Sequence, residues 1–413
     1  MIPRNLTDRA IDLIAKRDAS KKSEAKTRSF RVSFSGEQND LHVFKVDIEY
    51  PFYRIENGRT RRGQLNFLRN NPSNKKIFED ETSVSAQNAQ HSILLAMVAE
   101  ADLLDLLEKH GQENPIILTH TGFALNGNRR LAAMRKIQSE GKSKYDFSSV
   151  DVVLLPLLDD KELRRIELRL QMAQEGKANY HWLDELLTIR DNVQSGMSPK
   201  EVASAMNKKE KSIKILLSQL TLIDQYLVLM KLDQEYDVIE SQKQAFIDIA
   251  KEYVRLEKSP KLRHDYLGIA FNLIAFPEGA GKSVHDNLED LKKNLHSTIK
   301  EFNDNISQNK KIAHHKEKSQ TALGEALSAA NPEMKLIEIN QSFSDEAHKA
   351  VAITAQTSAI HDKANGPFNA VREAHRLLSQ IEITEKTTMK TQVRGQLKAI
   401  AKRATELSDQ LEE

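Results

Sequence analysis

Apolar and polar side chains alternate along two stretches near the start of the chain, Phe30 to Phe34 and His42 to Tyr50, on either side of the turn-like Ser35 to Asp40. A period of two is that of half-buried strands, so these residues predict a hairpin. From Val84 to Leu107 the pattern becomes helical and apolar. Pro115 to Leu118 and Phe123 to Leu125 then read as short strands around a Thr-His-Thr-Gly turn, followed by a helix over Arg129 to Gln138. After the polar stretch Gly141 to Ser149, the β-branched and leucine-rich run Val152 to Leu158 predicts another strand, so residues 30–158 read as a mixed α/β domain. Beyond Asp160 the pattern is helical throughout. Pro277-Glu278-Gly279-Ala280-Gly281 is the clearest breaker, and residues 283–413, rich in Ala, Lys, Glu, Gln and Leu with prolines at 332 and 367, predict two or three long helices. Leu288, Leu291, Leu295, Ile299 and Phe302 recur at spacings of 3 and 4 without holding a heptad phase, which favours a bundle over an extended coiled coil.

At the front, Leu6 to Lys16 predicts a short helix, and Asp18 to Lys26 contains no apolar residue larger than Ala. The expected organisation is α+β: a flexible basic arm at 1–28, a mixed α/β domain at 29–160, a helical domain at 161–277 and an all-α dimerisation or partner region at 278–413. At 413 residues the chain is long enough for two to four domains. Its 61 Lys+Arg against 59 Asp+Glu leave a net charge of +2, so any basic surface must be local. The apolar runs Ile93 to Ala99 and Val152 to Leu158 are too short to span a bilayer, and the first 28 residues lack the apolar core of a secretory signal. A cytoplasmic protein without membrane contact is expected. The absence of cysteine removes disulfides, thiolate metal sites and cysteine nucleophiles.

The most informative segment is Asn114 to Ile137, a strand pair that runs through Asn126-Gly127-Asn128 into a helix opening with Arg129 and Arg130. A helix N-terminus presents unbonded N–H groups and positive dipole, Gly127 permits close approach of a ligand, and the arginines add forked positive charge. This suits a phosphate, although an ordinary turn with solvated arginines uses the same residues, and two adjacent arginines cannot share one helix face. A second cluster, Tyr53 to Gln64, packs four arginines and one acid around Asn57-Gly58. The third is Ser198 to Leu220. There Ser198, Pro199 and Glu201 form a capping-box signature, Val202, Ala203 and Met206 supply a buried face, and a second helix from about Glu210 buries Ile213, Leu216, Leu217 and Leu220. Lys208, Lys209, Lys211, Ser212 and Lys214, with Ser218 and Gln219, are expected outside, and five lysines against two glutamates give residues 198–220 a local charge of +3. That is the construction of a DNA-recognition helix.

Strand, turn, Gly127-x-Arg129-Arg130-x-x-Ala133 and helix, followed by a strand and then a helix-turn-helix, resemble the ParB/sulfiredoxin-type domain of ParB-like partition proteins over residues 45–225. Asn128 stands where that family usually has Glu. No Glu-Asn-x-x-Arg follows the last strand, the nearest echo being Glu167-Leu168-Arg169-Leu170-Gln171, and sulfiredoxin activity is excluded because its reaction needs a cysteine. The Asn-Arg-Arg form is similar to divergent ParB-like proteins of mobile elements and antiviral-defence loci. The resemblance implies a phosphate site at Gly127, Asn128, Arg129 and Arg130, with CTP or another nucleotide and Mg2+ as ligand. It implies an arginine after the first strand, Arg59, in the same pocket, although sequence alone does not choose Arg59 over Arg61 or Arg62. It further implies DNA and a second copy of the chain as partners, a nucleoid or plasmid location, and a role in plasmid maintenance or phage defence.

A weak CTPase-like NTPase, or a ParB-fold nuclease or phosphotransferase, is the enzymatic alternative. It would need a metal-holding carboxylate among Asp151, Asp159, Asp160 and Glu167, whose spacing is not diagnostic; a purely structural adaptor is the third reading. No metal site is expected from the histidines: His314-His315 are adjacent, and His110, His120 and His181 are isolated. Gly279-Ala-Gly-Lys-Ser283 lacks the first glycine of a phosphate loop, and Tyr180-His181-Trp182 reads as packing.

Overall fold

The computed structural model describes residues 5–23, 28–99, 103–141, 143–173, 181–277, 282–308, 337–381 and 389–412. Ser35 and Gly36 both take positive φ, +52° and +82°, which lets a two-residue turn join β1 (Ser29–Phe34) to β2 (Glu37–Asp47), with Phe34 opposite Glu37. The turn is therefore shorter than the six residues the polar run suggested, and Glu37 to Asp40 extend the strand. With β3 (Phe52–Tyr53), β4 (Ile116–Leu118), β5 (Phe123–Asn126) and β6 (Ser149–Leu154) these strands form one mixed sheet in the order β1-β2-β6-β4-β5-β3. Successive residues serve opposite faces. Phe44, Val46, Ile116, Leu118, Val152 and Leu154 face a core completed by α3 (Val84–Ala99), α4 (Leu103–His110) and α5 (Asn128–Glu140); Val43, Ile117, Leu125 and Val153 face Leu163 and Ile166 of α6 (Asp160–Ala173).

Residues 5–23 correct an expectation. Leu6–Ser23 is one helix, α1, and residues 5–23 are not a flexible arm. Leu13 is fully buried, and the Arg9 guanidinium lies 4.0 Å over the Phe52 ring and 4.5 Å over the Tyr50 ring. Arg9 also donates to the carbonyls of Tyr50 and, at 3.2 Å, Thr121. One cation fastens the helix by filling four acceptor and aromatic sites that a polarity count cannot foresee.

α2 (Arg61–Asn70) leads from the sheet toward a helical region of α7 (Trp182–Gln194), α8 (Pro199–Ala205), α9 (Glu210–Leu229), α10 (Lys243–Arg255), α11 (Pro260–Ala275), α12 (Val284–Lys293) and α13 (Leu295–Gln308). The expected boundary at 277–278 is not a core boundary. Leu220, Phe246 and Phe271 share one cluster with Leu288, Leu291, Phe302, Ala347 and Val351, because the 3-and-4 spacing of the later helices supplies the apolar face the earlier ones need. Two compact units result, residues 1–352 and 353–413. α14 (Gln341–Ser379) runs uninterrupted through Pro367, which was expected to divide helices; the last helix is α15 (Lys390–Glu412). By length and composition α9 is apolar enough to cross a membrane, contrary to the run-length expectation, but here Leu220, Leu222, Ile223 and Leu227 sit in the helical core.

Candidate functional site

The turn between β5 and α5 is built on Gly127, whose φ of +94° is left-handed. A Cβ there would stand 3.2 Å from Arg130 Nη2 and 3.3 Å from Ile116 Cγ1, so a side chain would be both strained and crowded. The first intrahelical bond runs from the Leu131 N–H to the Gly127 carbonyl at 2.8 Å, leaving the N–H groups of residues 128–130 ahead of it.

The side chains on this turn divide sharply. Asn128 is buried, accepting from the Arg54 N–H at 3.2 Å and donating to the Ala124 carbonyl at 2.7 Å, so its side chain holds β5 and the β3 exit together and does not face outward. Arg130 folds back to the Asn114 carbonyl at 2.7 Å and Asn126 Oδ1 at 3.3 Å; burial and the adjacent Arg129 push its guanidinium down to about 10, still charged at neutral pH. Arg129 is the exception. Half-buried, it has no acceptor among the described residues, and burial together with the charge of Arg59 lowers its proton affinity. Arg59 reaches it from the turn Gly58–Thr60, with its Nη2 donating to the Gln171 carbonyl at 3.1 Å and its N–H capped by Asn57 Oδ1 at 3.1 Å. Arg62 instead pairs with Asp237 at 2.7 Å, and Arg61 leans to Asp191 at 3.8 Å, so Arg59 is the arginine of that cluster whose charge acts on Arg129.

Beside this pair, a cavity of about 430 Å³ lies between Asn57-Gly58, α2, α6 and α7. Arg59 and Gly127 to Arg130 are not in its lining; Asn57, Gly58 and Gln171 connect the two places. Gly58 fits because a Cβ there would fall 2.9 Å from Thr188 Cβ and Cγ2 on α7. Glu167 in the wall is buried, which raises its carboxyl to about 7 despite Arg54 at 3.5 Å, and burial likewise raises Glu81 and Asp191. Gln171 and Asn192 line the cavity, and their Oε1 and Oδ1 atoms are buried without a hydrogen-bond partner among the described residues. Sequence reasoning did not single out Thr188 or Asn192, and gave Arg54 and Asn57 no role within the Tyr53–Gln64 cluster; that cluster and the echo at Glu167 to Gln171 were the available signals.

No protein-family model matches the chain, and no curated protein matches it. Among solved structures it is similar to the C-terminally truncated chromosome-partitioning protein ParB from Caulobacter crescentus complexed with CTP-gamma-S, with 15% identity, 51% of this chain and 92% of that chain covered, and a TM-score of 0.18.

The carboxylates considered for a metal are not gathered. Asp151 pairs with Arg28 at 2.7 Å and Lys45 at 3.1 Å, Asp159 caps α6 through the Glu162 N–H, and Glu167 is held by Arg54 and Gln171. No cluster of three His, Asp or Glu suited to a metal occurs among the described residues, and the donor set near Arg129 does not fit Mg2+.

In the lysine cluster, Ser198 caps α8 with the full capping box, and Val202, Ala203, Met206 and Ile213 lock α8 and α9 against Leu168 and Ile189. Lys208 pairs with Glu185 at 3.0 Å and Lys214 with Glu210 at 2.8 Å, while Lys209, Lys211 and Ser212 are exposed at the start of α9. Gln219, expected outside, is buried, because α9 turns its second half into the helical core. His181 caps α7 and meets Glu240 at 2.7 Å; Tyr180, residues 278–281 and the His314-His315 pair lie outside the described residues.

Proposed function

We propose that this is a ParB-like DNA-binding protein whose mixed α/β region takes a nucleotide by its phosphates and whose α8–α9 pair meets DNA. The observation that carries the reading is Arg129: a half-buried guanidinium with no acceptor among the described residues, repelled by the charge of Arg59, at the N-terminus of α5. A phosphate set between them would relieve the repulsion and bond the N–H groups of residues 128–130. The polar cavity beyond Asn57-Gly58 is large enough for a nucleoside. Lys209 and Lys211, unmatched by acids among the described residues of a nearly neutral chain, are the groups for a DNA backbone. Plasmid maintenance or phage defence is the setting that the resemblance suggests. For the enzymatic alternative, no gathered carboxylates among the described residues speak in its favour.

A thermal-shift series with CTP, ATP, GTP, UTP and inorganic phosphate, with and without Mg2+, tests the site. One nucleotide at 100 times its Kd should stabilise the protein by about 2.7 kcal/mol. Absence of any shift in the wild-type chain overturns the reading.

A further inference from the structure

The helical core holds a second cavity, of about 340 Å³, that the proposed nucleotide site does not use. It lies between α11, α13 and the segment leading into α14, with Ile299, Phe302, Ile306, Ile337 and Phe343 as its apolar wall. The Phe302 and Phe343 rings meet edge to face, 6.2 Å apart, and supply aromatic surface for another ring or a cation. This wall is fastened in place. Asn272, fully buried on α11, donates to the Glu338 carbonyl at 2.7 Å and accepts from the Asn340 N–H at 3.2 Å, tying the segment before α14 to α11.

Gly268 is the odd residue of the lining. It sits inside a 16-residue helix, where glycine is costly, yet its φ is not left-handed and a Cβ there would meet nothing within 4 Å. Neither backbone geometry nor crowding accounts for it; its effect is to leave α11 bare where that helix forms the cavity wall. The polar part of the lining is acidic. It carries Asp265 and Glu338 beside His264 and Asn303, and no Lys or Arg among the described residues, the neighbouring Arg263 being turned over the Tyr253 ring at 4.3 Å. Asp265 and Glu338 are already engaged, but an ionised carboxylate has about four acceptor sites, so each can take a further N–H.

We propose that this cavity binds a small organic cation: a ring-sized apolar body against Phe302, Phe343 and the bare face of α11, with its ammonium group at Asp265 and Glu338. The volume is that of a small-molecule site. The inference does not rest on the nucleotide reading.

Tryptamine, tryptophol and indole-3-propionate present one ring system with a cation, a neutral hydroxyl and an anion. Their binding to the full-length protein is measured by saturation-transfer NMR titration at about pH 8, where an ordinary histidine is neutral. Tryptamine should bind at least about tenfold more tightly than indole-3-propionate, with tryptophol between them. Gly268→Leu, which builds a side chain into the cavity, should abolish tryptamine binding while keeping or raising Tm, since leucine is the better helix former. Asp265→Asn with Glu338→Gln should weaken tryptamine about tenfold and leave tryptophol unchanged, a comparison that holds even where Gly268→Leu does not fold. A wild-type chain that binds no tryptamine overturns the proposal. So does equal affinity for the amine and the acid, binding that persists in a folded Gly268→Leu chain, or amine affinity indifferent to the double variant.

Discussion

At the scale of single residues, two neighbouring arginines have opposite duties. Arg130 donates to the Pro115 carbonyl and, together with Gln112, to the Asn114 carbonyl, so Arg130→Ala should cost about 1–3 kcal/mol in denaturant unfolding. Arg129→Ala removes a repelled charge and should leave stability unchanged or slightly higher while abolishing the nucleotide thermal shift. Equal effects of both variants on ligand affinity would sink this division. Glu167 makes a pH prediction. It titrates near 7 in the folded protein against the ordinary 4.5, so between these values the folded state binds more protons than the unfolded one. Its contribution is fully present below pH 4.5, is lost progressively toward pH 7 and changes little above. Glu167→Gln should flatten the decline of Tm across that window; parallel wild-type and variant curves would contradict it. The sequence disclosed the turn and its glycine, since Asn126-Gly127 before two arginines is a local signal. It did not disclose which arginine stays open, because the carbonyls of Asn114 and Pro115 that hold Arg130 are brought there by β4.

At the scale of elements, the loop that carries Arg59 is wedged against α7. Gly58→Ala should displace Thr188 or the loop, costing about 1–3 kcal/mol by overpacking and weakening nucleotide binding more than a surface change such as Gly36→Ala alters it. Paired thermal shifts of the two variants check this. On α9 the ion pairs separate the lysines into two classes. Lys209→Ala with Lys211→Ala should reduce the slope of log affinity for DNA against log salt by about 2, one per lost phosphate contact. Lys208→Ala with Lys214→Ala, whose charges are matched by Glu185 and Glu210, should change it less. Equal slopes in the two double variants would remove α9 from the DNA contact.

At the scale of the whole molecule, the helical core takes residues from both sides of the breaker at 277–281. A chain ending at 277 should lose its cooperative thermal transition, since Leu288, Leu291 and Val351 would leave apolar surface on α10 and α11 uncovered, whereas one ending at 352 should keep it. Cooperative melting of the shorter chain, followed by circular dichroism, would restore the boundary at 277. The sequence by itself determined what depends on neighbours along the chain: the strands of the sheet other than β3, the turn at Gly127, the capping box at Ser198 and the exposed lysines after it. These follow from periodicity, φ preference and capping, which act over a few residues. Only the tertiary structure decided the docking of α1 through Arg9, the inward turn of Asn128 and Gln219, which of Arg59, Arg61 and Arg62 acts on Arg129, and the continuity of the core past residue 277. Each of these depends on a partner far away in sequence: Tyr50 and Thr121 for Arg9, Arg54 for Asn128, Asp191 and Asp237 for the two diverted arginines. A side chain's own polarity says that it needs a partner; only the folded chain says where that partner is.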